Sequence, residues 1–194
     1  NHPSNGSLRS LVQQHGDQVA FSLRNISQRL DEVERSTSFR LESALKQLNG
    51  LSAEVADLNR QVALAESGGQ SAPDLRDARD RAIDAMSAIT PVRVIERSDG
   101  TVGVLISSAT VVDGWDAKEL VVQSGPPLGI GVAGRSQALP ETGGTPGAML
   151  GVVNDELPGI RAQLNTFASA LVGSVNTLHR EGWSDVDFFD PAGV

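Results

Sequence analysis

The chain has 194 residues, enough for one large domain or two small ones. A net charge of −8 opposes nucleic acid and anionic membrane surfaces as partners. The absence of cysteine excludes disulfides and thiolate metal sites. No apolar run approaches the roughly 20 residues that span a bilayer. Aromatics are scarce and tyrosine is absent, so a core must come from Leu, Val, Ile and Ala. His2, His15 and His179 are isolated along the chain, a poor start for zinc, which wants three or four ligands. The chain begins at Asn1 rather than Met and shows no signal peptide, so it reads as an excised piece.

Residues 17–64 predict one long helix, free of proline and with Gly50 as its one glycine. Its first half places apolar residues at Val19, Leu23, Ile26, Leu30 and Val33. The second half continues at Leu41, Ala44, Leu48, Leu51, Val55, Leu58 and Val62. Steps of three and four make this a heptad seam, with a one-residue slip through Ser36, Thr37 and Ser38. Asn49-Gly50 is the weakest point, and the sequence leaves open whether the helix continues, kinks or breaks there. Gly68-Gly69 end the helix. Pro73 suits the first turn of a second helix, about 73–89, with Ser71 as N-cap, and Pro91 stops it.

β-rich runs follow. "VRVIERSDGTVGVLI" predicts a hairpin turning at Ser98-Asp99-Gly100, because Asp-Gly tolerates the positive φ angles of a tight turn. Further short strands are expected at Ala109–Val112, Glu119–Gln123 and Ile130–Ala133, within a stretch from 124 to 147 that is mostly loop. From about 148, Leu150, Val153, Leu157, Ile160, Leu164, Phe167, Leu171 and Leu178 restore the helical period. Pro158-Gly159 makes this either one kinked helix or two helices meeting end to end. The expected fold is α+β, mainly α: an elongated bundle of long antiparallel heptad helices with a small antiparallel β lobe. The segments are 1–90 (long helix plus Asp/Arg-rich helix), 91–147 (β-hairpin and Gly/Pro-rich lobe) and 148–194 (returning helix and acidic "DFF" turn).

Three stretches invite a chemical reading. "GIGVAGRS" at 129–136 fits GxGxxG through Gly129, Gly131 and Gly134, and nearly fits a Walker A loop with Arg135-Ser136. Either motif needs a strand before it and a helix after it, so that backbone N–H groups face a phosphate. Pro126-Pro127 and "QALPETGGTPG" supply neither, which argues for a glycine-rich strand or loop. "APDLRDARDRAIDAM" sets Asp74, Asp77, Asp80 and Asp84 on roughly one helix face. A calcium loop would use alternate residues on a bent backbone with a turn glycine. Pairing of Arg76 with Asp80 and of Asp77 with Arg81, with Asp74 in the first turn, explains these charges as a solvated face over the stripe Leu75, Ala78, Ala82, Ile83, Met86. The sequons at Asn5 and Asn25 read as chance matches, and no GxSxG elbow occurs. No catalytic, cofactor-binding or metal-ligating residue is expected, and the chain is not read as an enzyme.

The order of segments resembles the flagellar hook-associated protein 1 family, which forms the first layer of the hook–filament junction. The resemblance lies in "LNRQVALAESGGQSAPDLRDARDRAIDAMSAI" (58–89), "VRVIERSDGTVGVLI" and "PGIRAQLNTFASALVGSVNTLHREGWSDVDFF" (158–189), with its "VNxLHxxG" element. "NHPSNGSLRSLVQQ" fits the family's entry to its long helix more loosely. The resemblance implies a structural, non-enzymatic subunit that is exported through the flagellar channel without a cleaved signal peptide and assembles outside the cell. It implies as partners the hook protein, a second junction protein, an export chaperone and further copies of the intact protein. Family members carry terminal polymerisation helices, absent here, so this core fragment is expected to be monomeric. The rival readings are a coiled-coil adaptor or secreted interaction module, which the heptads alone would support, and an enzyme using the 129–136 loop.

Overall fold

A computed structural model describes residues 6–181. The elements run α1 (Gly6–Ser67), α2 (Pro73–Ile89), β1 (Val92–Glu96), β2 (Val102–Ile106), β3 (Ala109–Asp113), β4 (Asp116–Ala117), β5 (Leu120–Gln123), β6 (Gly129–Val132), α3 (Gly144–Gly151), a π-helical stretch Val152–Glu156, and α4 (Leu157–Glu181). The fold is thus α+β and mainly α, with a small antiparallel sheet region. Two compact units arise. One comprises Ser36–Asp155, the other the described residues up to Arg35 with those from Glu156 on.

In the unit Ser36–Asp155, one antiparallel sheet has the order β1-β2-β3-β4 and a second pairs β5 with β6. The core joins Leu41, Leu45, Leu48 and Val55 of α1 to Ala82, Ile83 and Met86 of α2, and both to Val104, Ile106, Val112, Leu120 and Ile130 of the sheets. Residues on both sides of the 90/91 boundary therefore share one core. Of the second-half seam of α1, Leu41, Leu48, Val55, Leu58 and Val62 are buried and Ala44 and Leu51 only half-buried, and α2 and the strands cover it rather than a long coiled-coil partner. A β-bulge between Val104 and Leu105 lets both Val111 and Val112 bury.

Several local expectations are corrected. At Asn49-Gly50, left open by the sequence, α1 is unbroken and helical through both residues. The helix ends at Gly68-Gly69, where Gln70 N–H donates to Ala65 O and Gly69 N–H to Glu66 O, the bonding of a Schellman cap. Ala72, not Ser71, is the N-cap of α2, and no side chain caps it; Pro73 at the first position already removes one orphan donor. The β1–β2 turn places Gly100 alone at positive φ, 79°. Asp99 instead accepts from Thr101 N–H and Oγ, an Asx-type brace. The 124–147 stretch is mostly loop, as expected, with β6 and the start of α3 set into it.

Pro158 resolves neither as a plain kink nor as a break. Its ring crowds the carbonyl four residues back, and it has no N–H to offer Asn154. Ahead of it the helix widens into the π stretch, which ends two residues before the proline.

In the other unit, Arg161 of α4 bonds Asp31 and Glu34 of α1, each at 2.6 Å. Val19, Ile26 and Val33, the first-half seam at sevenfold spacing, remain exposed there, as do Ile160 and Phe167 on α4. The "DFF" turn lies outside the described residues.

Candidate functional site

The Asp/Arg-rich stretch presents the solvated face that spacing suggested, but that face is not self-paired. Asp74, Asp77, Asp80, Arg81 and Asp84 are exposed, but Arg79 is only 4% exposed. It lies on the buried stripe of α2 with Ala82, Ile83 and Met86, and that placement desolvates it and pulls its pKa down. Arg76 does not pair with Asp80. Its guanidinium bonds both oxygens of Glu66 at the end of α1, each at 2.8 Å. This fork holds the Glu66 carboxyl below its ordinary value and raises Arg76. No ion pair joins Asp77 to Arg81 among the described residues, and Asp80 approaches only the Nε of Arg79, at 3.9 Å.

Arg79 belongs to a buried polar node. Its Nη1 donates to Asn59 Oδ1 at 3.1 Å and to Gly100 O at 2.8 Å. Asn59, fully buried on α1, accepts from Val102 N–H at 3.0 Å and donates to Val102 O and Gly114 O at 2.8 and 2.7 Å. The β2–β3 ladder runs through Gly103↔Asp113, so the next pair would be Val102 and Gly114. Asn59 takes the place of that pair and ties both strands to α1.

Two further asparagines do the same. Asn49 accepts from Leu120 N–H at 2.8 Å and donates to Leu120 O at 2.9 Å. Asn154, in the π stretch, accepts from Leu128 N–H and donates to Leu128 O, both at 2.8 Å. A primary amide offers the same donor–acceptor pair as a backbone residue, so each asparagine acts as a one-residue strand. These side chains satisfy backbone groups that burial would otherwise orphan.

The 129–136 glycines serve the sheet, not a phosphate. Gly129 and Gly131 lie in β6, antiparallel to β5, and a turn through Gly134 follows instead of a helix. A Cβ on Gly131 would stand 2.1 Å from the Gln123 amide, which donates to Arg135 O across it. Arg135 closes the turn after β6, its N–H donating to Val132 O at 3.0 Å. Among the described residues no group of three His, Asp or Glu is placed to hold a metal ion. His15 lies on α1 and His179 on α4; His2 is outside the described residues. An open groove of about 630 Å³ is lined by Leu128, Leu139, Pro140, Leu150, Asn154 and Asp155, and its carboxylates Glu141 and Asp155 are exposed.

In the unit Ser36–Asp155 the fold is that of a helical domain in which α1 and α2 pack on small antiparallel sheets and buried asparagines hold backbone. The chain belongs to the family of the flagellar hook-associated protein FlgK helical domain, whose model matches residues 1–189. It is 25% identical over 230 residues to flagellar hook-associated protein 1 of Bacillus subtilis, covering 100% of this chain and 45% of that protein. Against flagellar hook-associated protein 1 of Salmonella typhimurium the identity is 26% over 173 residues, 82% of this chain and 31% of that protein. The flagellar hook junction protein FlgK from Burkholderia pseudomallei has the same fold, with a TM-score of 0.75 and 27% identity over 89% of this chain and 33% of that one. The chain thus spans less than half the length of these relatives. No helix among the described residues is long and apolar enough to cross a membrane.

Proposed function

We propose that the chain is the helical domain of a structural subunit at the junction between flagellar hook and filament. The observation that carries this is the family match over residues 1–189, supported by the shared fold of the Burkholderia junction protein. The domain has no catalytic role in this reading. The intact protein reaches the flagellum through the flagellar export route, with a chaperone, and assembles outside the cell.

Its partners are hook protein, a second junction protein and neighbouring copies. The exposed sevenfold line Val19, Ile26, Val33 supports a packing role, because apolar residues at that spacing fit a further helix of the intact protein or of a neighbour. The same line is what favours the second reading, a coiled-coil interaction module of another system. Co-sedimentation of the intact protein with isolated hooks separates the two. Saturable binding to hook ends is expected, and equal recovery with and without hooks would reject the junction role.

A further inference from the structure

We propose that the free edge of β1 is a docking site for an extended, acidic segment of a partner protein, which adds as a fifth strand. β1 is an edge strand, since the sheet runs β1-β2-β3-β4. Its register with β2 fixes which backbone groups are unused. Arg97 N–H donates to Thr101 O, so that pair is hydrogen-bonded, and Ile95↔Gly103 and Arg93↔Leu105 follow at every second residue. Val92, Val94 and Glu96 therefore turn their N–H and C=O away from β2, and none of these groups bonds another backbone group outside the sheet among the described residues.

Edge strands of stable domains are blunted by charge, proline or covering elements. Arg93 and Glu96 supply charge here, but they do not explain the two residues between them. Val94 is 41% exposed and Ile95 48%, and neighbours in a strand point to opposite faces. Both faces of β1 thus present an apolar side chain beside an open backbone edge. In an added strand, a residue opposite Val94 meets the margin of the core row Val94, Val104, Val112. Residues on the other face meet Arg93, Ile95 and Arg97.

Charge selects the occupant. Arg93 is exposed and has no carboxylate partner among the described residues, whereas Arg97 is paired with Asp113. Glu96 points to the opposite face, toward the field of Arg76 and Arg79. The face carrying Arg93 and Arg97 fits a strand that alternates acidic and apolar residues, as main-chain bonding gives affinity and alternate side chains give specificity. Pairing of two copies is disfavoured. Opposite residues of an antiparallel pair must share parity, so two copies would set Arg93 against Arg93, Ile95 or Arg97 and never against Glu96.

The test is amide hydrogen exchange on the 194-residue chain, with a synthetic nonapeptide alternating glutamate with valine and isoleucine. The peptide should slow exchange at Val92, Val94 and Glu96 by about tenfold or more, while other sheet amides stay unchanged. Val94→Pro removes one outward N–H without touching the β2 ladder, so it should fold with an unchanged melting midpoint and lose the effect. Arg93→Glu should weaken binding by about fivefold, as loss of one ion pair does. The proposal is overturned if no slowing occurs at millimolar peptide, if a lysine-substituted peptide acts equally, or if the three amides are already slow without peptide.

Discussion

Asn59 carries more of the structure than any charged residue around it. Its amide serves four partners, two backbone acceptors, one backbone donor and Arg79, in a fully buried position. Truncation to Ala would strand those groups in the core, each worth about 1–3 kcal/mol when unpaired. Asn59→Ala should therefore cost about 3 kcal/mol or more in denaturant melts; a loss below about 1 kcal/mol would mean that water reaches the node. The charges that dominate the sequence matter less. Asp77 and Arg81 are exposed and unpaired with each other, so replacing both by Ala should change stability by less than about 0.5 kcal/mol. Glu66 is different in sign. Arg76 depresses its pKa in the folded state, so it contributes stability above the unfolded value near 4.5, and that contribution fades as pH falls through the folded value. Urea midpoints of the wild type and Glu66→Gln should hence converge on acidification, and a constant gap would contradict the pairing.

At the scale of elements, the helices and hairpin were readable because period and punctuation agree. Pro73 and Pro91 bound α2 at the residues the sequence marks, and Ser98-Asp99-Gly100 turns the hairpin. The buried polar positions were partly readable too. Asn59 falls on the three–four line Leu41, Leu45, Leu48, Ser52, Val55, Asn59, Val62, and Arg79 falls in phase with Ala82, Ile83 and Met86. Residue type argued for surface while phase argued for core, and phase won because strand ends supplied partners. Asn49 and Asn154 carry no such signal: their partners, Leu120 and Leu128, are 71 and 26 residues away. The π stretch was likewise hidden, since Pro158 permits a kink, a break or a widened turn. If the proline enforces that turn, Pro158→Ala should let the helix regularise and swing Asn154 off Leu128. The Leu128 amide should then exchange about tenfold faster, and unchanged protection would show that the Asn154 bond, not Pro158, sets the turn.

On the scale of the molecule, nothing in composition or period names a flagellar role; the resemblance of 58–89 and 158–189 does, and the family match over 1–189 bears out that recognition. The central claim is that the intact protein joins hook to filament. Electron microscopy of cells deleted for the gene encoding this chain tests it most directly. A junction role predicts hooks of normal length with no filaments, restored when the gene is returned. Filaments of normal number and length in the deletion strain would contradict it.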